Sequence, residues 1–438
     1  MKTPVYDFAK NYAKENPLRL HMPGHKGKSV LGIEPFDLTE VSGADDLYAS
    51  SGIIEESRLN ACSIYGAETY FVTEGSSQSI KAMLYLASKG NHGKKILAGR
   101  NAHKSFISGV ALLGLSVEWL YSEKDEGYLS CTLSESQVER AILEHDPFAV
   151  YITSPDYLGN QTDIKAISKA CKKHGVLLLV DNAHGAYLKF LSPSSHPIDL
   201  GADMCCDSAH KTLNALTGAG YLHINNNLQI NKQNVHFALS LFGSTSPSYL
   251  TLISLDLLNA QLDGEYKKNI NEFIKTVDKA KVRLSENGYT LIGSEKLKIT
   301  INAKKYGYTG IELNKILESK GIISEFCDSD YLVFMLTPQI AKDDVDKLIN
   351  ALVSVDKKPE IICCAPKLNK PQKAMEIRSA VLQSSVVLPV ELCENRVLSE
   401  TSVSCPPAVP IVVSGEVIDK KAIECLKYYG VKKCAVIE

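Results

Sequence analysis

The sequence contains no long hydrophobic run and almost no net charge. No apolar stretch reaches the ~18–20 residues needed to cross a bilayer, so we expect no membrane-spanning helix. The 48 basic and 50 acidic residues give a formal net charge of -2, which lacks the basic excess typical of nucleic-acid-binding proteins. The first residues, Met1 to Pro4, lack the apolar stretch of a signal peptide. These absences predict a cytoplasmic protein that binds neither membrane nor nucleic acid.

Closely spaced metal-binding cysteines are also missing. Of the 12 cysteines, the adjacent pairs Cys205-Cys206 and Cys363-Cys364 lie in apolar runs without the Cys-x-x-Cys spacing that binds zinc. A chain of 438 residues can be stabilised by core burial and does not need a disulfide framework. We therefore expect reduced, structural cysteines and no metal.

The composition predicts a globular protein of several domains. At roughly 100–200 residues per domain, the chain length corresponds to two or three domains. Hydrophobic residues make up 45% and charged residues 22%, which are ordinary values for a globular chain. The predicted divisions are an N-terminal arm or lid over 1–50, a large α/β domain over 51–262, a smaller α+β domain over 263–360 and a C-terminal segment over 361–438.

The part of the chain from about 65 to 225 alternates short apolar runs with amphipathic stretches. This pattern predicts strands joined by crossover helices and hence a mostly parallel sheet. Val176 to Asp181 is a continuous apolar run that suits a strand covered on both faces, and Ile164 to His174 has helical spacing. Asp181 would then lie at the carboxyl end of a strand, where ligands bind in open parallel sheets. Other predicted strands are Lys95 to Ala98, Phe148 to Thr153, Cys205 to Ser208, Ala219 to Ile224, Lys298 to Asn302 and Tyr331 to Leu336.

Gly75, Ser76 and Ser77 precede apolar residues at helical spacing, so a helix is predicted to begin there. The free N–H groups of such a helix start can bind a phosphate. The alternative is an ordinary serine N-cap. Two nucleotide-binding patterns are excluded by spacing: G-x-G-x-x-G is absent, and the segment from Gly24 to Ser29 has too few residues between its glycines for a P-loop.

Two further polar sequences follow predicted strands, Asp181-Asn182-Ala183-His184 and Ser208-Ala209-His210-Lys211. An aspartate at such an edge can hold a pyridine nitrogen protonated, and a lysine in a dry pocket can form a Schiff base with an aldehyde. His103, after the strand at Lys95, could stack on the same ring. The alternatives are a helix cap for Asp181, a core or loop histidine for His184 and His103, and a surface lysine for Lys211.

Read in order, these sequences resemble the ornithine, lysine and arginine decarboxylases of bacteria, in a short form without the N-terminal wing domain. The resemblance is carried by HMPGHKG (21–27), DDL (45–47), EGSSQS (74–79), RNAHKS (100–105), DNAHG (181–185) and SAHK (208–211). It implies a fold-type I enzyme that uses pyridoxal phosphate to decarboxylate a basic amino acid, as in polyamine biosynthesis. It also implies a homodimer or higher homo-oligomer with active sites shared between subunits.

The resemblance assigns roles to the residues in these motifs. Lys211 would carry the cofactor, Asp181 would pair with the pyridine nitrogen, and His103 would stack on the ring. Gly75, Ser76, Ser77, Ser208 and His210 would surround the phosphate, with His184 beside Asp181. His25, Asp45, Asp46 and Glu391 are the candidates for contacts with the substrate.

Two segments depart from the family pattern. The chain reads TLNALTGAG after Lys211, where relatives often have a Gly- and Ser-rich run, and it reads SCPPAVP over 404–410 at the C-terminal signature. Alternative functions are therefore an aminotransferase or lyase reaction, since the same cofactor residues serve those chemistries, or a catalytically altered homologue. A metal site of His21, His25 and Asp45 is the weakest alternative, because Pro23 and Gly24 prevent a helical presentation of the histidines.

Overall fold

The computed structural model describes residues 1–91, 93–124, 127–363, 365–401 and 407–438. The helices are α1 (Pro4–Glu15), α2 (Ile53–Tyr65), α3 (Ser76–Ser88), α4 (Lys104–Leu113), α5 (Glu135–His145), α6 (Ile164–Lys173), α7 (Ala209–Thr212), α8 (Lys232–Ser240), α9 (Tyr249–Leu262), α10 (Tyr266–Glu286), α11 (Gly310–Glu318), α12 (Lys342–Val353), α13 (Ile377–Val381) and α14 (Lys420–Tyr428). The strands are β1 (Glu68–Val72), β2 (Lys95–Gly99), β3 (Ser116–Leu120), β4 (Ala149–Thr153), β5 (Leu177–Asp181), β6 (Met204–Asp207), β7 (Gly220–Ile224), β8 (Thr290–Ile292), β9 (Lys298–Asn302), β10 (Phe326–Cys327), β11 (Tyr331–Met335), β12 (Ser385–Pro389), β13 (Leu398–Glu400) and β14 (Lys433–Ile437).

The chain divides into two compact units. Unit 1 comprises Met1–His92, Phe148–Val150 and Ile164–Ile270, and unit 2 comprises Gly93–Pro147, Tyr151–Asp163 and Asn271–Glu438. None of the described helices has the length and apolar character that a membrane span requires. The predicted divisions after 50, 262 and 360 stay a prediction, because compact units need not coincide with sequence-continuous domains.

Unit 1 contains four neighbouring strands in the order β1-β7-β6-β5. β7 is antiparallel to β1 and to β6, whereas β5 and β6 are parallel. Three of the four strands therefore run in one direction, as predicted for a mostly parallel sheet. Helix α3 packs on this group, and the four residues of β6 are all buried. Because β5 and β6 are parallel, their carboxyl ends lie at the same edge of the sheet.

Unit 2 contains the parallel pair β2 and β3 and two antiparallel sheets. The four-stranded sheet has the order β10-β11-β9-β8, and the three-stranded sheet has the order β12-β14-β13. The predicted strands at Lys298–Asn302 and near Tyr331 are confirmed as β9 and β11. Residues 356–372, which span the predicted division after 360, contain no helix or strand in their described part.

The N-terminal arm has more regular structure than the sequence predicts. Residues 4–15 form α1, which begins with Pro4 in its first turn and Asp7 nearby, both favourable at a helix start. Val5 and Ala9 on this helix are fully buried. The high content of Gly, Pro and His elsewhere in the first 50 residues obscured this short amphipathic pattern.

Candidate active site

The carboxyl ends of β5 and β6 hold the residues predicted to carry the chemistry. Asp181 is the last residue of β5 and is 2% exposed, and Lys211 lies on the short helix α7, directly after β6. The Nζ atom of Lys211 lies 3.0 Å from Nε2 of His184, which follows Asp181 by three residues. His184 is 6% exposed. Unit 1 therefore brings the predicted lysine together with one of the predicted histidines.

The carboxylate of Asp181 is held in a defined orientation. Its Oδ1 atom accepts a hydrogen bond from the backbone N–H of Ala183 at 3.1 Å, and the Sγ atom of Cys206 lies 3.6 Å from the same oxygen. Burial raises the pKa of Cys206 well above the ordinary thiol value, so the sulfur keeps its proton and donates to Asp181. The predicted alternative of a helix cap does not describe this position, since the Ala186–Phe190 turn that follows begins several residues later.

The N-terminus of α3 forms a second polar site in unit 1. The helix is capped by Gly75, with φ of 66°, and no side chain makes a capping hydrogen bond. Ser76 and Ser77 are thus the first helical residues rather than the N-cap, which corrects the alternative of a serine cap. Ser208 donates from Oγ to Oγ of Ser76 at 2.9 Å. We call Thr73, Gly75, Ser76, Ser208 and Thr212 the α3 N-terminal site.

Backbone contacts fix the loop around this helix start. The N–H of Gly75 donates to the carbonyl of Gly218 at 2.8 Å, and a Cβ on Gly218 would lie 2.6 Å from the carbonyl oxygen of Thr73. Only glycine fits at that position. Nδ1 of His210 donates a hydrogen bond to the carbonyl of Ala219 at 2.9 Å. Burial lowers the pKa of His210, and the charge of Lys211 lowers it further.

The polar groups of the candidate site in unit 1 are chemically complementary to the predicted cofactor. The Oγ1 atoms of Thr73 and Thr212 are buried and have no hydrogen-bond partner among the described residues, so two donors remain for a ligand. Helix N–H groups and hydroxyls suit a phosphate, a buried carboxylate suits a protonated pyridine nitrogen, and a primary amine suits an aldehyde. Pyridoxal phosphate carries all three complementary groups.

Beneath these residues lies a fully buried polar group that sequence reasoning assigned no role. Asp207, the last residue of β6, accepts hydrogen bonds from Nδ2 of Asn182 at 2.6 Å and from Nε2 of His196 and His223 at 3.1 and 3.2 Å. We call these four residues the Asp207 cluster. Burial alone would raise the pKa of Asp207, but the two imidazoles lower it well below the ordinary carboxyl value. A signal was present in the sequence, because Asp207 ends an apolar run.

His103 lies in unit 2, where it caps α4. Its Nδ1 atom accepts from the backbone N–H of Ser105 at 3.1 Å. In the same unit, the backbone N–H of Lys104 donates to the carbonyl of Ala408 at 2.9 Å, and Arg100 donates to the carbonyl of Pro410. The described half of the altered C-terminal signature therefore contacts the residues around His103. Ser404, Cys405 and Pro406 lie outside the described residues, as does Cys364. The stacking role of His103 stays a prediction.

Two residues predicted to contact the substrate, His25 and Asp45, make hydrogen bonds to residues close to them in the sequence. His25 lies 3.2 Å from Asp37 through Nε2 and accepts the N–H of Gly27 through Nδ1. Asp45 accepts five backbone N–H groups, from residues 46, 51, 52, 54 and 55. Burial raises the pKa of Asp45, but these donors outweigh that effect and lower it. Asp45 thus holds the chain that leads into α2.

The other two candidate carboxylates are more accessible. Asp46 is exposed and accepts the backbone N–H of Tyr48 at 2.8 Å. Glu391, in unit 2, pairs with Lys427 at 3.3 Å and its side chain is 56% exposed. Backbone and lysine hydrogen bonds lower the pKa of Glu391, so it is ionised at neutral pH.

Comparisons with known proteins identify the family to which the chain belongs. The family model described as Orn/Lys/Arg decarboxylase, major domain, matches residues 3–300. The arginine decarboxylase of Bacillus subtilis (strain 168) is 30% identical over 463 aligned residues, which cover 96% of this chain and 92% of that protein.

Solved structures show the same fold. The constitutive lysine decarboxylase of E. coli matches with a TM-score of 0.77 and 18% identity, over 100% of this chain and 82% of that one. The cysteine desulfurase of Thermococcus onnurineus NA1 matches with a TM-score of 0.56 and 18% identity, over 81% and 91%. The predicted fold-type I α/β architecture is confirmed by these likenesses.

Proposed function

Because this chain belongs to the ornithine, lysine and arginine decarboxylase family, we propose that it decarboxylates a basic amino acid with pyridoxal phosphate bound to Lys211. The observation that carries the proposal is the Lys211–His184 pair, 3.0 Å apart, in the same unit as the α3 N-terminal site and the buried carboxylate of Asp181. When bound, pyridoxal phosphate supplies a protonated ring that accepts the electrons released as the substrate loses carbon dioxide.

Each candidate site residue of unit 1 has a proposed role in binding that cofactor. Lys211 would hold the cofactor through Nζ, since a primary amine suits its aldehyde. Asp181 keeps the pyridine nitrogen protonated, since a buried carboxylate stabilises a nearby positive charge. Gly75, Ser76, Ser77, Ser208 and His210 bind the phosphate. Thr73 and Thr212 add the two buried hydroxyls that have no partner in the described chain.

Proton transfer is the remaining task. Decarboxylation requires that a proton be delivered to the substrate Cα. Nζ of Lys211 would deliver that proton. His184, 3.0 Å away, orients Nζ and can relay a proton to it. His103 is proposed to cover the ring face and exclude water.

The distal cation of the substrate requires a carboxylate. Asp45 already accepts five backbone N–H groups, so it has little remaining capacity as an acceptor. Asp46 and Glu391 are exposed and are the better candidates, with His25 as a further polar contact. The similar Bacillus protein is named arginine decarboxylase, which favours arginine over lysine and ornithine.

A product assay separates the possible reactions. Purified protein with pyridoxal phosphate is incubated with arginine, lysine or ornithine, and carbon dioxide, amines and keto acids are measured separately. We expect carbon dioxide and one amine in equal amounts from a single substrate. A keto acid would indicate an aminotransferase, elimination products a lyase, and no product a catalytically altered homologue; each of these outcomes contradicts the proposal.

We also propose that the active form is at least a homodimer with shared sites. Large apolar side chains in the arm are exposed in the single chain: Leu18 is 84%, Leu20 83% and Val30 88% exposed. Several large, highly exposed apolar side chains within one short segment suit a surface that another protein covers. The simplest closed arrangement for identical chains is a twofold dimer.

Mixing two inactive variants tests this arrangement. His25→Ala lies in the arm and Lys211→Ala in the sheet region, so a shared site predicts that heterodimers regain activity in one of two pockets. Both variants must be folded and must exchange subunits, which mass spectrometry of the mixture verifies. Exchange without any recovered activity would contradict sharing through the arm.

A cytoplasmic location is proposed on chemical grounds. The ten cysteines that lie among the described residues form no disulfide with one another, as suits a reducing compartment. An amine product made there would be available to polyamine biosynthesis. Fractionation of cells that express the protein tests the location, and recovery outside the cytoplasmic fraction would contradict it.

A further inference from the structure

The Asp207 cluster joins several segments of unit 1 through one carboxylate. Asp207, His196 and His223 are each 0% exposed. Asn182 comes from the loop after β5, His196 from the loop before β6, and His223 from β7. A buried carboxylate is costly unless donors satisfy it, and here three side chains do so.

The donors have defined proton positions. Nδ1 of His196 accepts the backbone N–H of Ile198 at 3.4 Å, so its proton lies on Nε2 and points at Asp207. Nδ1 of His223 lies 3.0 Å from Oγ1 of Thr69, and the ring of Tyr65 lies on His223 at 4.3 Å between centroids. Each imidazole has a contact at both ring nitrogens. These contacts fix the two rings and therefore the position of the Asp207 carboxylate.

One bond of this cluster connects the two segments that carry the candidate chemistry. Asn182 is adjacent to Asp181 and two residues before His184, while Asp207 is adjacent to Ser208 and four residues before Lys211. The 2.6 Å hydrogen bond from Asn182 to Asp207 therefore joins both loops at their starts. The backbone N–H of Asn182 also donates to the carbonyl of Cys206 at 3.1 Å.

We infer that Asp207 is a positioning residue, which holds Asp181 and the Lys211–His184 pair in register through Asn182 and the two buried histidines. The inference rests on the proposed function, because register matters only if these groups act on one bound cofactor. Small misplacements of reacting groups have large effects on rate. Asparagine cannot replace Asp207, since its Nδ2 would face one of the three donors.

Two variants test the role without relying on turnover alone. Asn182→Ala removes the 2.6 Å bond and keeps Asp207 paired with both histidines, so it is expected to fold. Asp207→Asn disturbs all three bonds. The readout is the visible circular dichroism of added pyridoxal phosphate, which depends on how rigidly the cofactor is oriented, together with kcat and KM.

We expect the dichroism band to weaken in both variants and kcat to fall by roughly 10-fold or more, with little change in KM. Asp256→Asn is the matched control. Asp256 is also 0% exposed and accepts from Ser57 and the N–H of Tyr6, neither of which belongs to the candidate site. This control should lose stability only.

Three results would overturn the inference in distinguishable ways. A wild-type protein that binds no pyridoxal phosphate would refute the proposed function and the inference with it. Cofactor binding in the wild type with wild-type dichroism and kcat in Asn182→Ala would refute the inference alone. His196, Asp207 and His223 also have donor types that bind metal ions, so one tightly bound zinc ion per purified chain would replace the hydrogen-bonded account.

Discussion

Two buried polar regions of unit 1 differ in how completely their hydrogen bonds are made. In the Asp207 cluster, one carboxylate has three side-chain donors. In the α3 N-terminal site, the hydroxyls of Thr73 and Thr212 have no partner in the described chain, and no side chain caps the helix. Buried polar groups in native proteins are nearly always satisfied. The contrast indicates that the carboxylate of Asp207 is satisfied by the chain itself, although Oδ1 of Asn182 is not, whereas the two threonine hydroxyls remain available to a ligand.

The largest effect is expected at Lys211, which follows Asp207 by four residues and is paired with His184. Lys211→Ala removes the amine proposed to bind the cofactor and to deliver the proton, so turnover should fall by at least about 10³-fold, as for other covalent catalysts. The measurement is amine formation under saturating substrate. Lys172→Ala, at an exposed lysine on α6, is the control and should retain full activity. An active Lys211→Ala would refute the assignment.

Asp181→Asn should have the next largest effect. A neutral side chain cannot keep the pyridine nitrogen protonated, so kcat should fall while the cofactor stays bound. The loss should correspond to about 3 kcal/mol of transition-state stabilisation, as when other preorganised charges are removed. Cofactor content and kcat are measured on the same sample. Normal turnover at full cofactor occupancy would show that Asp181 does not serve this purpose.

Asp207→Asn should lower stability, because donors are left unsatisfied in the interior. We expect the free energy of unfolding at pH 7 to fall by about 3 kcal/mol, measured by urea denaturation of the cofactor-free protein. The pKa of Asp207 is lowered in the folded state, so its contribution is present above the unfolded carboxyl value of about 3.9 and is lost as pH falls below it. The difference between wild type and variant should therefore shrink in acid.

Asp256→Asn provides a contrast to Asp207→Asn, because the contribution of Asp256 to the free energy of unfolding changes with pH in the opposite direction. Burial raises the pKa of Asp256 to about 6, so the folded state keeps a proton that the unfolded state has lost. Stability from this group is present below about pH 4 and is lost as pH rises through about 6. The cost of the substitution, about 1 kcal/mol, should be greater at pH 4 than at pH 7. Parallel pH profiles for the two variants would contradict this account.

The smallest effects are expected for substitutions of two threonines, Thr69 in β1 and Thr73 directly after it. Thr73→Val removes an unpartnered hydroxyl, so cofactor-free stability should be unchanged while affinity for pyridoxal phosphate falls about 10-fold, or 1.4 kcal/mol. Thr69→Val removes a hydroxyl that contacts His223 and the carbonyl of Ala67. It should lose about 1 kcal/mol of stability with normal affinity. Titration with cofactor and urea denaturation measure both quantities, and the reverse pattern would invert our assignment of the two regions.

Local patterns in the sequence were sufficient to predict the elements that hold the site. The apolar run ending at Asp181 is confirmed as β5, and the helix after Gly75 begins at Ser76. The motifs place Lys211 and His184 in one predicted site, but local sequence does not predict the direct contact between their side chains. The spacing of apolar residues along the chain is the feature of a sequence that predicts helices and strands most directly.

The Asp207 cluster could not be derived in this way. His196 and His223 come from different segments, and nothing in their local sequence shows that both imidazoles reach one carboxylate. Likewise, Asp45 occurs in a motif that suggests function, whereas its five backbone contacts depend on the path of the chain into α2. Contacts between distant segments require the folded structure.

The most direct test of the account is to locate the cofactor on the chain. The protein is saturated with pyridoxal phosphate, reduced with borohydride, digested and analysed by mass spectrometry, with Lys211→Ala as the control. The account predicts a single phosphopyridoxyl adduct at Lys211 in the wild type and none at the equivalent peptide of the variant. A stable adduct at another lysine, or no adduct in a protein that nevertheless releases carbon dioxide from a basic amino acid, would contradict it.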